Sequence, residues 1–87
     1  MFKAIRNFFH IQTKEEKYID GYNAIVEAVK DKEWDLMRDL YYCAVDNDID
    51  FDSFDKGIIR AYRDFHNNGT LNEITLADIQ KGDHNGI

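Results

Sequence analysis

The sequence predicts an all-α fold: a small antiparallel bundle of three main helices, with a short N-terminal helix and a short C-terminal helix or tail. Three observations carry that expectation. The 87 residues contain no proline and only five glycines, so the chain has few of the breaks that a many-turned β-fold needs. Apolar residues recur at three- and four-residue spacing through three long stretches. Helix-capping residue types stand at the start of those stretches. With 44% hydrophobic and 32% charged residues, the composition is that of a chain able to bury a core. Its length suits one domain, residues 1–80, followed by a frayed tail over 81–87.

The first segment, Phe2 to Ile11, is expected to be a short helix lying across the bundle. Thr13 starts a longer one: "TKEE" puts Glu16 three residues after a capping threonine, the spacing at which side chain and backbone satisfy each other reciprocally. Tyr18, Tyr22, Ile25 and Val29, with Ile19 and Val26 beside them, give this helix an apolar face as far as about Lys30. Asp31 is a candidate cap for the next helix, "KEWDLMRDLYYCAV". There Met37, Leu40, Tyr41 and Ala44 form a stripe joined by Leu36 and Val45. Asp52 with Asp55 makes a second capping box, followed by Phe54, Ile58, Ala61, Tyr62 and Phe65 on one face. Asn68 or Gly69 ends that helix in a left-handed conformation. Beyond it, Thr70 with Glu73 and Thr75 with Asp78 both have capping-box spacing, and Leu71, Ile74, Leu76 and Ile79 suit a short docked helix.

The stretch "VDNDIDFDSFDKG" invites a calcium reading, because Asp46, Asp48 and Asp50 stand at the first, third and fifth positions of an EF-hand loop. Phe51 then occupies the position that requires glycine, and Gly57 the position that requires a bidentate glutamate. The stretch is read instead as an inter-helix connection, with Ile49 and Phe51 turned inward and Asp52 opening the next helix. No catalytic constellation is expected. His10, His66 and His84 lack metal-ligand spacing, and the glycines form no phosphate loop. Cys43 is read as a small buried thiol. No cofactor and no metal follow from the sequence. One cysteine, no apolar run of spanning length and no secretory leader point to a reducing cytoplasm.

Charge is the most informative feature. The net charge is −6, but residues 1–17 carry +2, residues 18–52 carry −7 and residues 53–87 carry −1. On the third predicted helix Asp35, Asp39, Tyr42 and Asp46 fall on one face. Like charges one turn apart cost ~0.2–0.5 kcal/mol, and an anion near a helix C-terminus opposes the dipole, so stability alone does not account for this pattern. An ordinary solvated helix face, with Lys32 and Arg38 offsetting part of the repulsion, stands as the alternative of equal weight. Twelve aromatic residues exceed what a small core needs, and Tyr42 and Trp34 are candidates for surface anchors. The candidate partner-binding set is Trp34, Asp35, Asp39, Tyr42, Asp46, Asp48 and Asp50. It suits a protein partner with a basic surface, above all one that normally holds nucleic acid. Direct nucleic-acid binding is not expected, since a lysine and arginine patch is missing.

In size, acidity and lack of a catalytic constellation, the chain resembles in type the small inhibitors encoded by phages and mobile elements, including nucleic-acid mimics aimed at host defence nucleases. Two alternatives stand beside that expectation. One is a structural or assembly subunit acting through self-association. The other is peripheral membrane association through the N-terminal segment, whose Phe2, Ile5, Phe8, Phe9 and Ile11 accompany Lys3, Arg6 and Lys14. The same apolar residues also suit a helix closing the bundle, so a membrane partner is the less favoured of the two.

Overall fold

The computed structural model describes residues 12–82 and 84. The helix expected over residues 2–11 lies outside them. Among the described residues the chain is all-α, with four helices and no strand: α1 (Lys14–Lys30), α2 (Trp34–Val45), α3 (Ser53–Asn68) and α4 (Leu76–Gln80). The three longer helices pack together.

α1 starts where its capping box dictates. The Glu16 amide donates to the Thr13 hydroxyl at 3.2 Å, and the Thr13 amide donates to the Glu16 carboxylate at 3.1 Å. Its end differs from expectation. Asp31 does not cap α2 but closes α1, and Lys32 follows in the left-handed region at φ 56°. The Lys32 amide donates to the Val29 carbonyl (3.1 Å) and the Glu33 amide to that of Ala28 (2.8 Å), the paired bonds of a Schellman turn. This turn consumes two residues, so α2 begins only at Trp34, with Glu33 in the cap position and no side chain bonded to its free amides.

α1 and α3 form the centre of the molecule, and two glycines set how closely they approach. A Cβ on Gly21 would collide with the backbone of Phe54, and one on Gly57 would meet the Tyr18 carbonyl and lie 2.8 Å from the Tyr22 nitrogen. Both glycines are buried, so the two helices touch backbone to backbone. Around that contact lies the core. α1 supplies Tyr18, Tyr22, Ile25, Val26 and Ala28, α2 supplies Met37 and Ala44, α3 supplies Ile58 and Ala61, and Ile74 closes it from the last segment.

α3 opens on the expected box. Asp52 accepts from the amides of Phe54 (3.1 Å) and Asp55 (3.4 Å), and Asp55 accepts from the Asp52 amide (3.1 Å). It ends at Gly69, φ 75°, whose amide donates to the Phe65 carbonyl at 2.7 Å. Of the two boxes expected after it, Thr75 and Asp78 meet, with the Thr75 amide and hydroxyl both donating to Asp78 (2.8 and 3.2 Å). Thr70 and Glu73 open no helix. Glu73 instead accepts from the Lys30 ammonium at 3.0 Å.

The segment before α4 is tied to α1 by Asn23. Its amide nitrogen donates to the Ile74 carbonyl (3.1 Å), and its oxygen accepts from the Ile74 amide (2.9 Å). Past α4 the chain returns to α1, where His84 is buried with its Nδ1 2.9 Å from the Tyr18 hydroxyl. The expected frayed tail is therefore corrected at His84.

Candidate interaction surface

α2 is the least buried of the three long helices, with only Met37 and Ala44 fully enclosed. Leu40 and Tyr41 pack partly against the core region, and the Tyr41 ring stacks on Tyr62 of α3 at 4.0 Å between centroids. The remainder of the helix faces outward. Leu36 and Val45, expected in the apolar stripe, are exposed. They flank the stripe, and α1 and α3 do not extend far enough around α2 to cover both flanks. Cys43 is exposed as well, which corrects the expectation of a buried thiol.

The candidate residues take the following places. Trp34 is half exposed and lies flat against Phe65 at 5.8 Å, so one ring face is fixed and the other is open. Asp35, Asp39, Tyr42 and Asp46 are all exposed, and their spacing puts them along one line of the helix. Arg38 lies between two of them, 3.4 Å from the Asp35 carboxylate and 3.9 Å from that of Asp39. At such exposure these pairs contribute little, and the face keeps its negative sign. Asp46 occupies the C-terminal cap of α2.

Asp48 and Asp50 follow in the α2–α3 connection, both exposed. Asn47 organises this connection: its oxygen accepts from the Asp50 amide (3.0 Å) and its nitrogen donates to the buried Asp55 carboxylate (3.1 Å). The bonds shape the backbone so that Ile49, 92% exposed, and Phe51, 44% exposed, point outward. Inward alternation was expected of them. It requires extended backbone, and the Asn47 turn replaces it with a bend. Six of the seven large exposed hydrophobic side chains of the described region thus fall between Trp34 and Phe51, interleaved with the acidic residues.

A second group of polar residues escapes sequence reasoning because its members come from three distant segments. The Tyr22 hydroxyl donates to Asp64 at 2.7 Å, and Arg60 Nε donates to both oxygens of that carboxylate (3.0 and 3.3 Å). The His84 ring meets both Tyr18 and Tyr22 edge-on at 5.5 Å. Burial pushes both phenols above their ordinary ionisation range, and for Tyr22 the bond to Asp64 adds to the effect. A phenol held neutral in this way is a hydrogen-bond donor, not a base, and the group acts chemically as a clasp. Only the Arg60–Asp64 pair, at i, i+4, carries a local signal.

Among the described residues no three His, Cys, Asp or Glu side chains converge to hold a metal. No helix among them is long and apolar enough to cross a membrane. No family model, no curated protein and no solved structure matches the chain.

Proposed function

We propose that the protein is a non-enzymatic acidic interaction module. In this reading it inhibits or modulates a partner protein by occluding a basic surface that handles nucleic acid, in the manner of phage or mobile-element anti-defence proteins. The observation that supports this is the outer line of α2, where Asp35, Asp39 and Asp46 stand exposed with Tyr42 among them. Carboxylates on a rigid helix give fixed charge spacing, and an adjacent half-exposed aromatic ring supplies contact area at low entropic cost. Asp48 and Asp50 extend the charge, and Trp34 marks its other end. The bundle that presents this face is read as antiparallel between α2 and α3, on the order of their contacts: Trp34 with Phe65, Tyr41 with Tyr62, Asn47 with Asp55.

The test is affinity capture from a host lysate at low and high salt, followed by the full-length Asp35→Lys, Asp39→Lys, Asp46→Lys variant. The expected outcome is binding that weakens with salt and falls on the order of 100-fold in the variant, about 3 kcal/mol for the reversed charge contacts. The fold itself should hold, since each exposed charge change alters stability by no more than about 0.5 kcal/mol. Undiminished affinity of the variant removes the proposal. Self-association is the second reading, favoured by the exposed Leu36, Val45, Ile49 and Phe51. Sedimentation showing only monomer at high concentration counts against it.

A further inference from the structure

The acidic line of α2 is bordered by exposed apolar side chains, and the chain itself contains a segment of matching character. We propose that residues 1–11, "MFKAIRNFFHI", dock on the surface made by α2 and the α2–α3 connection of the same molecule. The proposal is independent of the partner reading above. If both hold, segment and partner compete for one surface.

Four observations converge. The first is the surface: Trp34, Tyr42 and Val45 are exposed within about a quarter turn of one another on α2, Ile49 and Phe51 are exposed in the connection that follows, and such a group on a small protein marks a contact site. The second is where the described chain begins. The Gln12 side chain donates to Asp20 on α1 and shares shallow depressions with Asp50, Phe51, Asp52 and Phe54. The described chain therefore begins at the foot of the surface, with Gln12 beside Phe51.

The third is charge. Residues 1–11 carry Lys3 and Arg6 and no acid, whereas residues 34–51 carry five carboxylates against Arg38. Phe2, Ile5, Phe8, Phe9 and Ile11 supply the apolar complement. The fourth is reach. Eleven residues span at most roughly 36–40 Å when extended and about 16 Å as the short helix expected of them. The 12 residues of α2 are about 18 Å long, so the segment reaches the connection and the adjoining part of α2 in either form. A second copy presenting the same acidic face would set like charges against each other. Docking within one molecule needs little intrinsic affinity, because the tether supplies an effective concentration on the order of millimolar.

The experiment uses the full chain and its sole cysteine. A nitroxide on Cys43, exposed on α2, should broaden the backbone amide signals of residues 2–11 severalfold in the monomer. The full-length Phe8→Asp, Phe9→Asp variant should recover those signals and shift Trp34 emission to the red, since Trp34 is the only tryptophan. High salt should act in the same direction. Absence of broadening in the labelled monomer overturns the proposal. Broadening that appears only when nitroxide-labelled chains are mixed with isotope-labelled ones assigns the surface to a second copy and overturns it too. Segment signals that change only on adding anionic phospholipid vesicles assign the segment to a membrane, with the same consequence. None of these outcomes touches the charge-reversal test, so the two readings fail separately.

Discussion

Gly21 and Gly57 pose a conflict between two physical effects of known size. In isolation, replacing a helix-interior glycine with alanine gains about 0.8–1 kcal/mol of helix propensity. Here the new methyl would strike backbone on the facing helix, and backbone cannot rotate aside as a side chain can. Overpacking of this kind costs roughly 1–3 kcal/mol or more, so the steric term wins. Gly21→Ala is expected to lose about 2 kcal/mol and to lower the melting temperature by about 10 °C, on the scale of ~4–8 °C per kcal/mol for small domains. Gly57→Ala should behave alike, and the double variant should lose less than the sum, because either methyl already separates the helices. Thermal unfolding of the three variants checks this, and a neutral or stabilised Gly21→Ala would refute the close-contact account. Neither glycine was recognisable in the sequence. A close approach depends on which residues face each other across two helices, and single glycines inside helical patterns carry no such label. Cys43, Ile49 and Phe51 were misjudged for the same reason: residue type suggests burial, while tertiary placement decides it.

Elements were legible where their signals are local. The Thr13–Glu16 and Asp52–Asp55 boxes and the Gly69 stop each act within four residues, and the helices begin and end at them. The acidic face of α2 was legible too, since helical periodicity alone puts Asp35, Asp39, Tyr42 and Asp46 in line. The α1–α2 turn was not. Lys32 adopts a left-handed conformation that usually favours glycine, and nothing in "KDKEW" announces it. The course of the last segment was hidden as well, because it is set by Asn23, about fifty residues earlier. That side chain replaces a missing strand or helix partner for Ile74, satisfying both its backbone groups. Asn23→Ala leaves those groups without partners at a partly buried site. The expected cost is about 2 kcal/mol, from two hydrogen bonds at roughly 0.5–1.5 kcal/mol each. The loss should be local: amide exchange should accelerate over residues 70–80 while the centres of α1 and α3 keep their protection. Acceleration spread evenly over the whole chain would show instead that this segment is inseparable from the core.

At the scale of the whole molecule, α3 divides two environments. Tyr62 and Phe65 turn toward α2, and Arg60 and Asp64, about half a turn away, turn toward Tyr22 and the clasp around His84. The α2 side is open, acidic and partly apolar. The clasp side is closed by hydrogen bonds between groups that must hold particular protons, which makes stability respond to pH at the alkaline end. Tyr18 and Tyr22 are raised in the fold, chiefly by burial. In the unfolded chain both phenols ionise near pH ~10. Below that pH both states hold the protons and the clasp contributes fully. Above it the unfolded chain binds fewer protons than the folded one, so stability falls as pH rises toward the raised folded values. Lys30, raised by its bond to Glu73, acts with the same sign. Denaturant unfolding across this range should therefore show a steady decline starting near pH ~10, and Tyr22→Phe, which removes one of the two phenols, should make the decline shallower. Phenolate absorbance gives the independent check. The phenolate signal of Tyr18 and Tyr22, both raised in the fold, should appear only with unfolding, and Tyr22→Phe should remove part of it. Ionisation of the Tyr22 phenol, read as the absorbance that Tyr22→Phe removes, before any loss of helix would mean that the clasp is not closed in solution.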